Sequence, residues 1–181
     1  MDFETVVKTR RSVRKYLDKP VEKEKIEHIL EAARLAPSAE NAQPWRIIVL
    51  NEPDLIKKVG NAAFSGIYMP SSFASKAPVL LVFLANPSKI VNIVGKQIRK
   101  VEFYLLDMGI AGEHASLAAV NEGLGSCWIG WFNEKGVRKV LDIPKKYKVI
   151  SLMALGYPAV TPKNEHKRKS GDAVVRFNES F

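Results

Sequence analysis

The sequence has little of what disulfide and metal sites require. Its 181 residues include one cysteine, Cys127, and three histidines, His28, His114 and His166. One cysteine cannot form an intrachain disulfide, which fits a reducing compartment, so a cytoplasmic location is expected. The histidines lack metal-ligand spacing, and we therefore expect no metal site.

Long apolar runs and the common catalytic motifs are also absent. The longest apolar run, residues 77–85, is far too short to span a bilayer, and the first sixteen residues offer no apolar run for a signal peptide. No G-x-G-x-x-G follows a strand, which argues against a Rossmann dinucleotide fold. The sequence has no G-x-S-x-G elbow and no P-loop, which argues against the corresponding hydrolases and nucleotide sites.

Negative charge is scarce: 28 Lys and Arg stand against 19 Asp and Glu, a net charge of +9. Such an excess suggests an anionic partner, although a solvated Lys-rich surface accounts for most of the lysines. Nucleic-acid binding would require basic residues interleaved with exposed aromatics, or a helix-turn-helix or RNA-binding signature. Neither is found, so we expect no nucleic-acid partner and no membrane partner.

The composition is that of a globular protein, and the length suits one domain over residues 1–181. The hydrophobic pattern predicts helices over residues 2–9, 22–35, 53–63, 96–122 and 134–141, and strands over residues 45–50, 79–85, 126–132, 147–155 and 173–177. Hairpin signals are nearly absent, which favours a parallel sheet with helices on both faces. The small residues of the longest helix fit either a partner interface or an ordinary core helix.

Three polar clusters could carry chemistry. The first is Arg10–Arg11–Ser12–Val13–Arg14, in which Arg10, Ser12 and Arg14 would face one way in extended chain. Arginine pairs with phosphate in bidentate fashion and also donates to ring carbonyls. A basic surface turn is the plainer interpretation of this cluster taken alone.

The second and third clusters lie farther along the chain. Residues 37–45, PSAENAQPW, place short amides and a hydroxyl between prolines, which suits hydrogen bonding to a polyol or ring edge, or capping within the loop. Residues 123–131, GLGSCWIGW, include Gly130 within an apolar strand, which suggests that a flat group approaches the backbone. Trp128 and Trp131 also fit a core role.

Together and in this order, these clusters resemble the nitroreductase family of flavoenzymes. RRSVRKY, APSAENAQPW, GLGSCWIGWF, LGYP and a C-terminal basic stretch occur in family order over nearly the whole chain. The resemblance implies an α+β fold with a mixed, largely antiparallel sheet flanked by helices. It also implies an intertwined homodimer with FMN at the subunit interface, the long helix in the dimer core and a C-terminal segment that reaches the partner.

The resemblance also assigns the site. The residues that it implies around FMN are Arg10, Arg11, Ser12, Arg14, Pro37, Ser38, Asn41, Gln43, Ile129, Gly130, Arg168 and Lys169, with Lys167 as a further candidate. The arginines would contact the phosphate and the pyrimidine edge, and the loop of residues 37–43 would come from the other subunit. The Gly130 amide would lie near flavin N5. The family's Asn and Lys of the middle region have no equivalent in residues 68–73, and the lid is reduced to about residues 87–95.

The implied activity is an FMN-dependent NAD(P)H oxidoreductase. Hydride would pass from NADH or NADPH through flavin N5 to a quinone, nitroaromatic or similar acceptor by a ping-pong mechanism. No catalytic side chain is required, because the cofactor carries the chemistry and the protein supplies position and charge. An alternative is a flavin store, sensor or delivery protein with little turnover.

Overall fold

The computed structural model describes residues 1–87, 100–160, 168–178 and 180. These residues form a sheet of four strands, β1 (Trp45–Leu50), β2 (Val79–Ala85), β3 (Gly125–Ile129) and β4 (Lys148–Gly156). The spatial order is β1-β2-β4-β3. The helices around the sheet are α1 (Phe3–Thr9), α2 (Lys23–Arg34), α3 (Pro53–Ala63), α4 (Phe103–Asn121) and α5 (Glu134–Val140). Shorter 3₁₀ segments are Ala39–Asn41, Gly66–Lys76 and Gly171–Ala173.

Strand β2 is central because its side chains are apolar on both faces. Every residue of Val79–Ala85 is buried. Leu81 and Phe83 pack in a cluster with residues of α2 and α4, whereas Leu80 and Val82 pack on the other face with residues of α3 and α5. Helices therefore cover both faces of the sheet, as the sequence predicted.

The predicted parallel arrangement is wrong, because every strand pairing of the described sheet is antiparallel. Leu50, at the end of β1, pairs with Leu80, near the start of β2. The connection between them, which contains α3 and the Gly66–Lys76 segment, therefore leaves β1 and enters β2 at the same end of the sheet. A long helical connection was read as a parallel crossover, but it also fits between antiparallel neighbours. The α+β fold implied by the family resemblance is confirmed.

Helix α4 begins later than predicted and buries its small residues in the chain's own core. Lys100 has φ +56° and the helix starts at Phe103, while residues 96–99 lie outside the described residues. Ala111, Ala115 and Ala119 are fully buried. A Cβ on Gly112 would lie 2.0 Å from an atom of the ring of Trp128, so the glycine lets that indole pack against the helix.

The exposed side of α4 carries larger apolar residues. We call Leu105, Leu106 and Ile110 the α4 face; their exposed fractions are 44%, 56% and 39%. Apolar residues exposed together on one element often mark a contact with a partner. A dimer contact on this helix would therefore use these larger side chains and not the alanines.

One predicted strand extends too far, and another is wrong. β3 ends at Ile129, so Gly130 and Trp131 follow the strand and do not lie in it. Residues 173–177 form no strand: Gly171–Ala173 is a 3₁₀ turn and Val174 to Phe177 are exposed. An apolar tail forms a strand only beside a strand with free backbone groups, and this tail pairs with no strand among the described residues. Across residues 1–87, 100–160, 168–178 and 180, no helix is long and apolar enough to cross a bilayer.

Candidate functional site

The N-terminal basic cluster lies in extended chain beside β3. α1 ends at Thr9, and the amide of Val13 then donates to the carbonyl of Ser126 at 2.9 Å. A parallel bridge joins Ser12 to Ser126. Val13 is buried against Gly125, where a Cβ would lie 2.4 Å from Cγ2 of Val13. A glycine is therefore needed for this close approach, which fixes the segment against the sheet.

The side chains of this segment alternate in direction, as expected for extended chain. Arg10 and Ser12 line one cavity, and Arg11 and Val13 line another. The first has a volume of about 540 Å³, within the range of small-molecule sites, and we call it the Arg10 cavity. Its lining is Val7, Arg10, Ser12, Glu113, Leu117, Trp128 and Arg168.

The Arg10 cavity has a positive balance of charge. Nε of Arg10 lies 3.7 Å from Oε1 of Glu113, and the Arg10 side chain is only 18% exposed. Arg168 brings a second guanidinium from the far end of the chain to the same lining. Two guanidinium groups against one carboxylate, with the Ser12 hydroxyl beside them, suit a phosphate or another anion. Arg10, Ser12 and Arg168 were all predicted from sequence to be site residues.

Arg11 is directed away from this cavity. Its Nη1 donates to the carbonyls of Lys8 and Arg10 at 2.5 and 2.9 Å. Its Nε is buried without a hydrogen-bond partner among the described residues. The guanidinium therefore serves the turn after α1, as the alternation of side chains in extended chain would have it.

Arg14 lies near the middle region for which the sequence offered no flavin contact. Its guanidinium carbon lies 5.9 Å from the centre of the Phe73 ring, within cation–π range. Its Nη1 is 3.4 Å from the Ser12 carbonyl that accepts its hydrogen bond. Arg14 is exposed and thus available to a ligand, with its guanidinium beside the Phe73 ring.

The polar loop of residues 37–44 is tied together by its own side chains. The backbone amide of Gln43 donates to Oγ of Ser38 at 2.9 Å, and the side-chain Nε2 of Gln43 donates to Oδ1 of Asn41 at 2.8 Å. Glu40, Asn41 and Gln43 have positive φ angles of 49°, 50° and 46°. Such conformations are unfavourable for residues other than glycine, so the surrounding contacts must impose them. Pro37 precedes this turn and is exposed.

The loop is also anchored to α4. The amide of Ala39 donates to Oδ1 of Asp107 at 3.0 Å. Asp107 is buried, and its Oδ2 has no hydrogen-bond partner among the described residues. Burial raises the pKa of the Asp107 carboxyl above its ordinary value. None of the loop residues lines the Arg10 cavity of the same chain, as far as the described residues show.

Ile129 and Gly130 lie at the end of β3. Ile129 is buried in the core on the α3 side of the sheet, whereas Gly130 is exposed and a Cβ there would meet nothing within 4 Å. Trp131 follows, with its indole nitrogen donating to the Ile67 carbonyl at 2.9 Å and its ring 5.3 Å from that of Tyr68. The Gly130 backbone is thus open to an approaching group, beside an aromatic pair.

Sequence reasoning missed part of the lining. Glu113, Leu117 and Val7 carried no motif signal, because they lie on the faces of α4 and α1 that the N-terminal segment meets only in the folded chain. Trp128 was left between a core role and a site role; it stacks on Phe83 and also lines the cavity. Lys169 is exposed and outside this lining, and Lys167 lies outside the described residues.

The chain is similar to proteins of one family in both sequence and fold. Residues 7–157 match the sequence profile of the Nitroreductase family. A nitroreductase family protein of Clostridium novyi NT superposes with a TM-score of 0.78 at 34% identity, covering 87% of each chain. An FMN-dependent nitroreductase of Clostridium difficile R20291 gives 0.79 at 30% identity, over 97% of this chain and 98% of the other. An NAD(P)H-dependent FMN reductase of Bacillus subtilis is 31% identical over 94% of this chain and 71% of its own length.

The match covers most of the chain, including the N-terminal basic cluster, the polar loop and β3. The chain belongs to the nitroreductase family, a class of oxidoreductases, as the order of its motifs indicated. Arg168 and Lys169 lie beyond the matched residues. A role for Arg168 is supported by its place in the Arg10 cavity, and a role for Lys169 stays a prediction.

Proposed function

We propose that this chain is an FMN-dependent NAD(P)H oxidoreductase with one FMN-binding domain over residues 1–181. It would transfer two electrons to a quinone, a nitroaromatic or a similar acceptor, in ping-pong order and in the cytoplasm. The observation that carries the proposal is the convergence of Arg10, Ser12 and Arg168 on one cavity next to Trp128.

The residues present fit FMN. The two guanidinium groups and the hydroxyl of the Arg10 cavity match the charge and hydrogen-bonding needs of a phosphate. Trp128 and Leu117 give the same cavity an apolar wall suited to a flat ring system. We therefore assign Arg10, Ser12 and Arg168 to the phosphate end and Arg14 to the ring end of the cofactor.

The redox chemistry belongs to the cofactor, because bound FMN can accept two electrons from NAD(P)H and release them to an acceptor. The chain's own residues supply charge, position and access. The Arg14 guanidinium offers a fixed positive charge where negative charge would accumulate. At Gly130 a Cβ would meet nothing within 4 Å, so a flat group can approach the backbone there.

We further propose a homodimer in which each cavity is completed by the polar loop of the partner. Ser38, Asn41 and Gln43 do not line the Arg10 cavity of their own chain, so a second copy is the natural source of these groups. The α4 face supplies an apolar contact surface. In the tail, Val174 and Phe177 are exposed, which suits a segment that packs on a partner.

The proposal predicts a yellow protein with absorbance near 450 nm, the value of free flavin, that is bleached anaerobically by NADH or NADPH. FMN should be titrated into purified protein, followed by each nicotinamide in turn. Steady-state oxidation of NAD(P)H with a quinone and a nitroarene separates an enzyme from a flavin carrier, which would bind FMN without turnover. A protein that stays colourless in excess FMN would contradict the proposal.

A further inference from the structure

We propose that Asp107 is a positioning residue for the candidate site: from α4, its carboxylate holds the polar loop of residues 37–44 in the conformation that presents Ser38, Asn41 and Gln43. The role rests on the proposed function in one respect, that this loop contacts the cofactor. Nothing in the sequence motifs pointed to Asp107.

The backbone of the loop is strained. Three of its residues, Glu40, Asn41 and Gln43, have positive φ, and none of them is glycine. Each such conformation is unfavourable and persists only when the surroundings impose it. The loop therefore needs fixed external contacts.

The hydrogen bonds of the loop differ in whether they stay within it or join it to the rest of the protein. The hydrogen bonds from Gln43 to Ser38 and Asn41 all lie within the loop, so they shape it without fixing it to the sheet or the helices. The bond from the Ala39 amide to Oδ1 of Asp107 spans 68 positions of sequence and ties the loop to α4. Loss of the acceptor would leave the partly buried Ala39 amide without this partner, which is costly.

Asp107 itself is placed unfavourably for stability. Its side chain is 3% exposed and its Oδ2 lacks a hydrogen-bond partner among the described residues. A half-satisfied buried carboxylate is unfavourable for stability, and an apolar residue of the same shape would avoid that cost. An unfavourable buried group is best explained by what it holds, which here is the Ala39 amide.

Two substitutions of similar shape test the role. Asp107→Asn keeps an acceptor oxygen for the Ala39 amide, whereas Asp107→Leu removes it without leaving a cavity. The matched control is Tyr104→Phe, which removes a hydroxyl from the same helix. That hydroxyl accepts from Nζ of Lys148 at 2.9 Å and donates to Oε2 of Glu102 at 3.0 Å, and neither residue belongs to the loop. Melting temperatures of all three variants report any general loss of fold.

Two readouts are measured. Hydrogen exchange of the peptide covering residues 37–44 needs no cofactor: we expect exchange at least about tenfold faster in Asp107→Leu, and near wild type in Asp107→Asn and Tyr104→Phe. FMN titration should show the same order, with a Kd raised at least about tenfold only in Asp107→Leu. Rescue by Asn with loss in Leu, at similar melting temperatures, supports the positioning role.

The role is overturned if Asp107→Leu exchanges its loop and binds FMN as the wild type does, or if Tyr104→Phe shows the same losses. Should Asp107→Leu fail to fold, Asp107→Asn still decides, because wild-type exchange and affinity in that variant support the acceptor role and a large change in either contradicts it. If the wild type binds no FMN, the proposed function fails, and the exchange experiment still tests the loop anchor.

Discussion

Arg10 and Arg11 are neighbours in sequence but have different surroundings. Arg10 lines the large cavity opposite Glu113, whereas Arg11 bonds to the carbonyls of Lys8 and Arg10. The difference arises because extended chain alternates its side chains. A matched pair of alanine substitutions can therefore separate cofactor binding from local structure.

We expect Arg10→Ala to weaken FMN binding by roughly 1.5–3 kcal/mol, because a charge-assisted bond to phosphate is lost. Arg11→Ala should leave FMN affinity within about twofold and instead lower the melting temperature, since it removes the two carbonyl contacts after α1. Flavin fluorescence titration and thermal melts of both variants measure these effects. Equal losses of affinity in the two would show that the cavity does not discriminate between them.

At the scale of elements, the contact between α4 and β3 depends on one missing side chain. A Cβ on Gly112 would lie 2.0 and 2.1 Å from two ring atoms of Trp128, so a methyl group there must displace the indole. Trp128 is itself held by stacking on Phe83 at 5.5 Å between ring centres. The helix and the strand therefore pack directly against each other at Gly112 and Trp128.

A double-mutant cycle measures the energetic coupling between Gly112 and Trp128. Gly112→Ala should cost about 1–3 kcal/mol of unfolding free energy in the wild-type background through overpacking. In a Trp128→Phe background the cost should fall markedly, because the smaller ring lacks the two atoms in conflict. Denaturant unfolding of the four proteins gives the coupling energy. Additive effects would mean that the two residues do not meet.

Sequence patterns predicted the elements whose signals are local. β1 (Trp45–Leu50) and α3 (Pro53–Ala63) have the predicted bounds, because an apolar run and a proline at the first helical turn mark them. The predicted start of α4 was wrong because the positive φ of Lys100 interrupts the helix, and no glycine in the sequence indicates that conformation. The end of β3 was missed because Trp131 is apolar in composition but bonds to the Ile67 carbonyl outside the sheet.

The sequence motifs named several residues of the candidate site but did not show how these residues are arranged. Arg10, Ser12 and Arg168 do converge on one cavity, although Arg168 is far from the others in sequence. Glu113 and Asp107 could not be found, because a single acidic residue on a helix carries no motif and acquires meaning only from what packs against it.

At the scale of the whole molecule, the proposed dimer depends on the α4 face. Ile110→Glu should place a charge in that contact and give a monomer of about 20.2 kDa in place of twice that mass. FMN affinity should fall with it, because the partner loop is withdrawn. The control is Leu35→Glu, an exposed leucine at the end of α2 and outside the α4 face. Light scattering with chromatography reads the mass; a monomeric wild type would contradict the dimer.

Helix α4 carries both Asp107, which holds the loop, and Glu113, which faces Arg10. Each added residue turns an α-helix by about 100° and advances it by about 1.5 Å. An insertion or deletion between positions 107 and 113 would therefore swing one of these side chains away from its target while the other stayed in place. This stretch should therefore tolerate no change of length, whichever residue is added or removed.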